Sequence, residues 1–199
     1  MKANGLRLRI VQDQYPDSPR EWDNLGTIAY AHRSYVLGEE EIGDPIRWLE
    51  DKLGKENAHI YNNDRLEELE EEFFEKYIAL PLYLYDHSGL RIRTHPFSCR
   101  WDSGKVGYIY VDLQSVRENY GVKRVSKKLR QRVLDVLMYE VKTFDQHLSG
   151  DVYGFIVEDE DGKILDSCYG FYGDDPKTNG MMEHLASEYQ PLVESAIYE

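Results

Sequence analysis

Hydrophobic spacing changes period near Leu80, and that change sets the class of fold. Between Asp64 and Tyr77 the apolar residues Leu66, Leu69, Phe73 and Tyr77 recur at three- and four-residue intervals, one face of a helix, while the opposite face is nearly all glutamate. From Leu80 the pattern is that of strands. Leu80–Asp86 is rich in Tyr and Leu, His87-Ser88-Gly89 forms a turn, and Leu90–His95 alternates Arg with apolar residues. A loop from Pro96 to Gly104 then leads to Val106–Val111. Three sequential strands with short links predict an antiparallel meander. Both periods in one chain call for an α+β fold, a mainly antiparallel sheet of about five or six strands covered by about three or four helices.

The rest of the chain fits that frame. Leu6, Leu8 and Ile10 alternate with Arg7 and Arg9, as in a half-buried strand. Gln12 to Gly26 has loop composition, with one helical turn starting at Pro19, and Thr27–Val36 fits either a strand or a helix. Asp44-Pro45 reads as N-cap and first residue of a helix that runs to Leu53 and ends near Gly54. Asp64, with Glu67 three residues on, predicts a capping box for the next helix. Ser126 caps a long helix ending at Ser149, with Gly150 in the C′ place and Leu129, Val133, Leu137, Val141, Phe144 and Leu148 as its core stripe. Val152–Glu158 and Lys163–Phe171 form a hairpin around Asp161-Gly162. From about Met181 the chain is expected to be helical, broken or kinked at Pro191. No repeat or low-complexity linker marks a boundary, so residues 1–199 read as a single α+β domain.

Hydrophobic residues make up 41% of the chain and aromatic residues 13%, which argues for a packed core and against disorder. No apolar run approaches the roughly 18 residues of a membrane helix. The N-terminus lacks the residue order of a signal peptide, so a cytoplasmic location is expected. Two cysteines, Cys99 and Cys168, are too few for a disulfide framework and are expected to be free thiols. A net charge of −13 repels nucleic acid and favours basic partners.

Chemistry-bearing residues gather between Asp86 and Gly107, where His87, His95, Cys99, Asp102, Ser88 and Ser103 lie on strand ends and loops. An imidazole beside a thiol promotes the reactive thiolate, so Cys99 with His87 or His95 is the catalytic candidate. Asp86, His87 and Ser88 form no triad among themselves, because neighbouring strand side chains point to opposite faces. Turn-building Asp, Ser and Gly with surface histidines is the competing reading, and it carries more weight. His87, His95, Cys99 and Cys168 make a poor zinc set, since only His95 and Cys99 approach ligand spacing. No metal and no cofactor are expected.

Charge is segregated. Between Asp64 and Lys76 stand seven acidic and two basic residues, and between Lys123 and Arg132 six basic and no acidic ones. Lys127 and Lys128 fall in the first turn of their helix, against its dipole. The basic stretch either contacts phosphates or nucleic acid, or it pairs with the acidic helix and solvent. The glycines of DVYGF (Asp151–Phe155) and DSCYGFYGDD (Asp166–Asp175) lack a phosphate-loop context and read as bulges or close backbone approaches.

Five strings taken together resemble a known group: YPDSPREWDNLGT (Tyr15–Thr27), LPLYLYDHSG (Leu80–Gly89), PFSCRWDSGKVG (Pro96–Gly107), DVYGF and DSCYGFYGDD. The group comprises small, uncharacterised acidic proteins encoded by bacteriophages, prophages and plasmids, and the likeness spans residues 6 to 175. It carries no catalytic signature. It implies a mobile-element setting, in which small acidic proteins often antagonise host defence, DNA-mimic inhibitors of restriction or CRISPR nucleases among them. The expected function is therefore non-enzymatic binding of a host protein with a basic surface. Glu68, Glu71 and Glu75 are the main contacts, supported by Glu39, Glu40 and Glu41. The alternatives are a Cys/His enzyme on the 86–107 loops and a nucleic-acid-binding accessory protein using Lys127, Lys128 and Arg130.

Overall fold

The structure, a computed structural model, describes residues 5–99 and 101–199; the first four residues and Arg100, in the loop singled out above, lie outside the described residues. In chain order the elements are β1 (Arg7–Gln12), β2 (Thr27–Tyr30), β3 (Glu40–Glu41), α1 (Pro45–Leu53), α2 (Asn63–Lys76), β4 (Tyr77–Asp86), β5 (Leu90–Arg93), β6 (Ser103–Asp112), α3 (Leu113–Tyr120), α4 (Lys127–Ser149), β7 (Val152–Glu158), β8 (Ile164–Tyr172), α5 (Met181–His184) and β9 (Ile197–Tyr198). Tight 3-10 turns occupy Pro19–Glu21 and Gln190–Ser195. The chain is α+β, as its two hydrophobic periods require. The strands form two sheets of four and five, each with one parallel pair in an otherwise antiparallel order. Contacts divide the chain into two units, residues up to Pro19 with Gln146–Glu199, and Arg20–Asp145.

The larger unit holds the sheet β3-β2-β6-β4-β5. All three strands expected from Leu80 onward are present, and β4 pairs antiparallel with β5 through Leu84↔Ile92 and with β6 through Leu80↔Ile109. The meander order is not kept, because β4 lies between the other two. β4 has ten residues whose backbone pairs along both edges, whereas β5 has only four and suits an edge. Leu69 and Phe73 of α2, Leu49 of α1 and Tyr108 of β6 share one wholly buried cluster.

Helix boundaries follow local chemistry with two departures. Asp44 caps α1 as expected, accepting from the Arg47 amide at 2.8 Å. The start of α2 lies earlier than Asp64. Asn62 is the cap, accepting from the Arg65 amide at 2.8 Å, so the expected Asp64–Glu67 box does not form. The short helix α3 escapes the sequence reading. Asp112 caps it by accepting from the Gln114 and Ser115 amides at 2.8 and 2.9 Å. Ser126 caps α4, accepting from the Leu129 amide at 3.2 Å, and Val133, Leu137, Val141 and Phe144 are buried along it. Glu140 and Thr143 are buried beside them.

The smaller unit holds the sheet β8-β7-β1-β9. Leu8 and Ile10 of β1 lie opposite Val157 and Phe155 of β7, and all four are buried. A Cβ at Gly154 would fall 2.2 Å from the Tyr169 ring, so this glycine marks the close approach of β8 to β7. The C-terminal region is not one helix. α5 has four residues, Pro191 sits in the first turn of the 3-10 segment, and β9 then joins β1 in parallel. Leu192 and Val193, in the 3-10 segment, are buried in the core of this unit.

Candidate functional site

The 86–107 loops bring some of the expected groups together in an order that does not make a nucleophile pair. The Cys99 thiol donates to Asp102 Oδ2 at 3.3 Å, and His87 Nδ1 lies 3.9 Å from Asp102 Oδ1. Asp102 therefore stands between thiol and imidazole. A nucleophile pair needs the imidazole against the sulfur. The Asp86 amide donates to the Asp102 carbonyl at 2.9 Å, and the Ser103 hydroxyl donates to the Cys99 carbonyl, which ties the loop into the strand ends. His95 stays out of the group. It is exposed, and its carbonyl accepts from Arg93 Nε at 3.1 Å. The Arg93 guanidinium also lies 3.7 Å from the Phe97 ring centre, and Phe97 stacks on Tyr85 at 5.5 Å. Cys99 opens into a cleft of about 340 Å³ with Tyr85, Arg93, Phe97 and the bidentate Arg91–Asp145 pair. Among the described residues no three His, Cys, Asp or Glu side chains are placed to hold a metal ion. Cys168 lies on β8 of the smaller unit.

The acids separate into an internal set and an outward row. Glu70 pairs with Lys105 and accepts from Tyr108 at 2.5 Å, and Glu72 pairs with Lys55. Glu68 is exposed but its carboxylate holds Arg65 at 2.9 Å. Glu67, Glu71 and Glu75 remain exposed on the outer face of α2. Glu39 and Glu40 do not extend that row. Glu39 accepts from the Ile28 amide at 2.6 Å and pairs with Arg20 at 2.8 Å. Glu40 accepts from Trp48 at 2.9 Å and Tyr110 at 2.8 Å and pairs with Lys52 at 3.1 Å. Burial works against its charge, yet those three donors keep Glu40 below the usual carboxylate range. Burial and the adjoining carboxylate push the Tyr110 phenol well up.

The basic candidates also divide. Lys127 and Lys128 are exposed at the start of α4 and form no ion pair among the described residues. Arg130 is not available to a partner in the same way. Its guanidinium donates to the Phe74 and Tyr77 carbonyls at 2.6 and 2.7 Å, at the end of α2, and is structural.

Two buried acids escaped the sequence reading. Glu140 accepts from the Leu25 amide at 2.8 Å, the Gly26 amide at 3.2 Å and Arg20 at 3.3 Å, fastening the Arg20–Ile28 segment to α4. Burial pushes its carboxyl up, against those donors. Its place three residues after Leu137 and four before Phe144, on the apolar stripe, is the signal that marks it. Glu50 is buried with one oxygen on Arg65 at 2.9 Å, and that guanidinium keeps it low. Both acids hold segments in place.

Comparison with family models, curated proteins and solved structures finds no match. Among the described residues no helix is long and apolar enough to cross a membrane.

Proposed function

We propose that this chain is a non-enzymatic binding protein of phage or mobile-element setting. In this reading the outer face of α2 engages a basic surface on a host protein, as a DNA mimic does. The observation that carries the reading is the row Glu67, Glu71 and Glu75, exposed and free of ion pairs among the described residues. The spacing of one turn each sets three carboxylates along about 12 Å of helix. The opposite face is locked into the core by Leu69 and Phe73, so the row is presented on a rigid element. The mobile-element setting rests on the resemblance of the five strings. The Cys/His enzyme is the weaker reading, because Asp102 takes the position an imidazole would need.

The test uses a host nuclease with a basic DNA groove. The wild-type chain should compete with DNA for it, and added salt should weaken that competition. Reversing Glu67, Glu71 and Glu75 to Lys should slow association about tenfold or more while dissociation changes little. An association rate unmoved by the triple reversal would sink the assignment of α2 as the contact face.

A further inference from the structure

The start of α4 carries a second surface that the α2 reading does not use. Between Leu113 and Arg132 the chain has seven basic residues and one acid, Glu118, in a protein of net charge −13. Glu118 is exposed and accepts from Gln114 at 2.8 Å. Lys123, Arg124, Lys127 and Lys128 are all exposed, and none has an ion pair among the described residues. With carboxylates in excess across the chain, a run of cations left without one is a local departure from charge balance.

These cations border a recess. A groove of about 380 Å³ is lined by Tyr120, Val122 and Leu129 together with Arg124, Lys128 and Arg132. Its volume falls in the range of small-molecule sites, about 300–1,000 Å³. Lys128 and Arg132 stand one helical turn apart on the same face, and Arg124 joins them from the α3–α4 connection. The Arg132 guanidinium lies 5.5 Å from the Tyr120 ring centre, which holds it at the groove. Arg130, fastened to the end of α2, fixes the helix start that carries the others. Three like charges around an apolar recess repel one another, and an anion relieves that repulsion. A bare anion would leave Tyr120, Val122 and Leu129 wet, whereas a ligand with both a phosphate group and a flat apolar part covers them. We infer that this groove binds a mononucleotide, its phosphates on Arg124, Lys128 and Arg132 and its base against Tyr120, Val122 and Leu129.

Calorimetric titration of the full chain with ATP, adenosine and inorganic triphosphate at low salt tests this. ATP should bind, and adenosine and triphosphate should each bind about tenfold or more weakly than ATP, because each satisfies only half of the groove. Arg124→Ala with Lys128→Ala should weaken ATP about tenfold or more, and Val122→Ser, which removes apolar lining without touching a cation, should weaken ATP while leaving triphosphate unchanged. Lys142→Ala, exposed farther along α4, should bind ATP as the wild type does. Absence of ATP binding, equal affinity for ATP and triphosphate, or full affinity in the Arg124/Lys128 variant would each overturn the inference. A short single-stranded oligonucleotide that binds more tightly than ATP would overturn the mononucleotide assignment in favour of a strand-binding groove. None of these readouts involves the α2 row, so failure here and failure of the partner reading are separable.

Discussion

The outer face of α2 and the start of α4 carry comparable runs of opposite charge, yet the two are assembled differently. On α2 Glu70 is spent on Lys105, Glu72 on Lys55 and Glu68 on Arg65, while Glu67, Glu71 and Glu75 stay outward as a row. At α4, among the described residues, no carboxylate of that row pairs with the cations. The tie between the two runs is made by Arg130, and it goes to the Phe74 and Tyr77 carbonyls. The end of a helix carries unpaired carbonyls and the negative end of its dipole, so a planar guanidinium has a two-point acceptor there. Opposite charge runs in a sequence therefore need not neutralise each other. Geometry assigns one arginine to the backbone and leaves its neighbours to solvent or a ligand.

The largest expected effect tests whether α4 is held by its apolar stripe or by its charges. Leu137 is wholly buried, and Leu137→Ala should cost about 2–5 kcal/mol in urea unfolding. A cost below about 1 kcal/mol would be a surface effect and would leave the charged contacts as the anchor. Next comes the contrast between Arg130 and its neighbour Lys127. Arg130→Ala removes charged donors from two carbonyls and should cost about 1.5–3 kcal/mol, while Lys127→Ala should stay within about 0.5 kcal/mol. Equal effects would erase the division of the basic run into a structural and an outward part.

Three acids held inside the fold, Glu40, Glu50 and Glu140, make stability depend on pH. Glu40 and Glu50 titrate below the ordinary value of 4.5. Their contribution to stability is thus complete above pH 4.5 and is lost as pH falls through their lowered values. Glu140 is raised above 4.5, so the folded chain holds its proton longer, and stability declines as pH rises from 4.5 through its raised value. Glu140→Gln should remove the decline on the upper side and keep the one on the lower side. Glu50→Gln should shrink the decline on the lower side. Thermal midpoints measured across acid pH check both, and an unchanged upper side in Glu140→Gln would mean that Glu140 is solvated. The smallest effect belongs to the row itself. Glu71→Lys with Glu75→Lys should leave stability within about 0.5 kcal/mol of the wild type, since both are exposed and unpaired among the described residues.

What the sequence by itself determined is what neighbours in the chain decide. The ends of α1 and α4 follow from Asp44-Pro45, Ser126 and Gly150, and the β7–β8 hairpin follows from Asp161-Gly162, because caps and tight turns are settled within a few residues. The change of period at Leu80 likewise announced α2, β4, β5 and β6. The tertiary structure decided what depends on residues far apart. It set β4 between β5 and β6 and divided the strands into two sheets. At the candidate site it placed Asp102 between Cys99 and His87, buried Glu140 against the Leu25 and Gly26 amides, and sent Arg130 to carbonyls more than fifty positions away. Residue type states what a side chain is able to bind. Which of several suitable partners it meets is a competition among long-range contacts, each weighed against chain entropy and desolvation, and local pattern holds no record of that outcome.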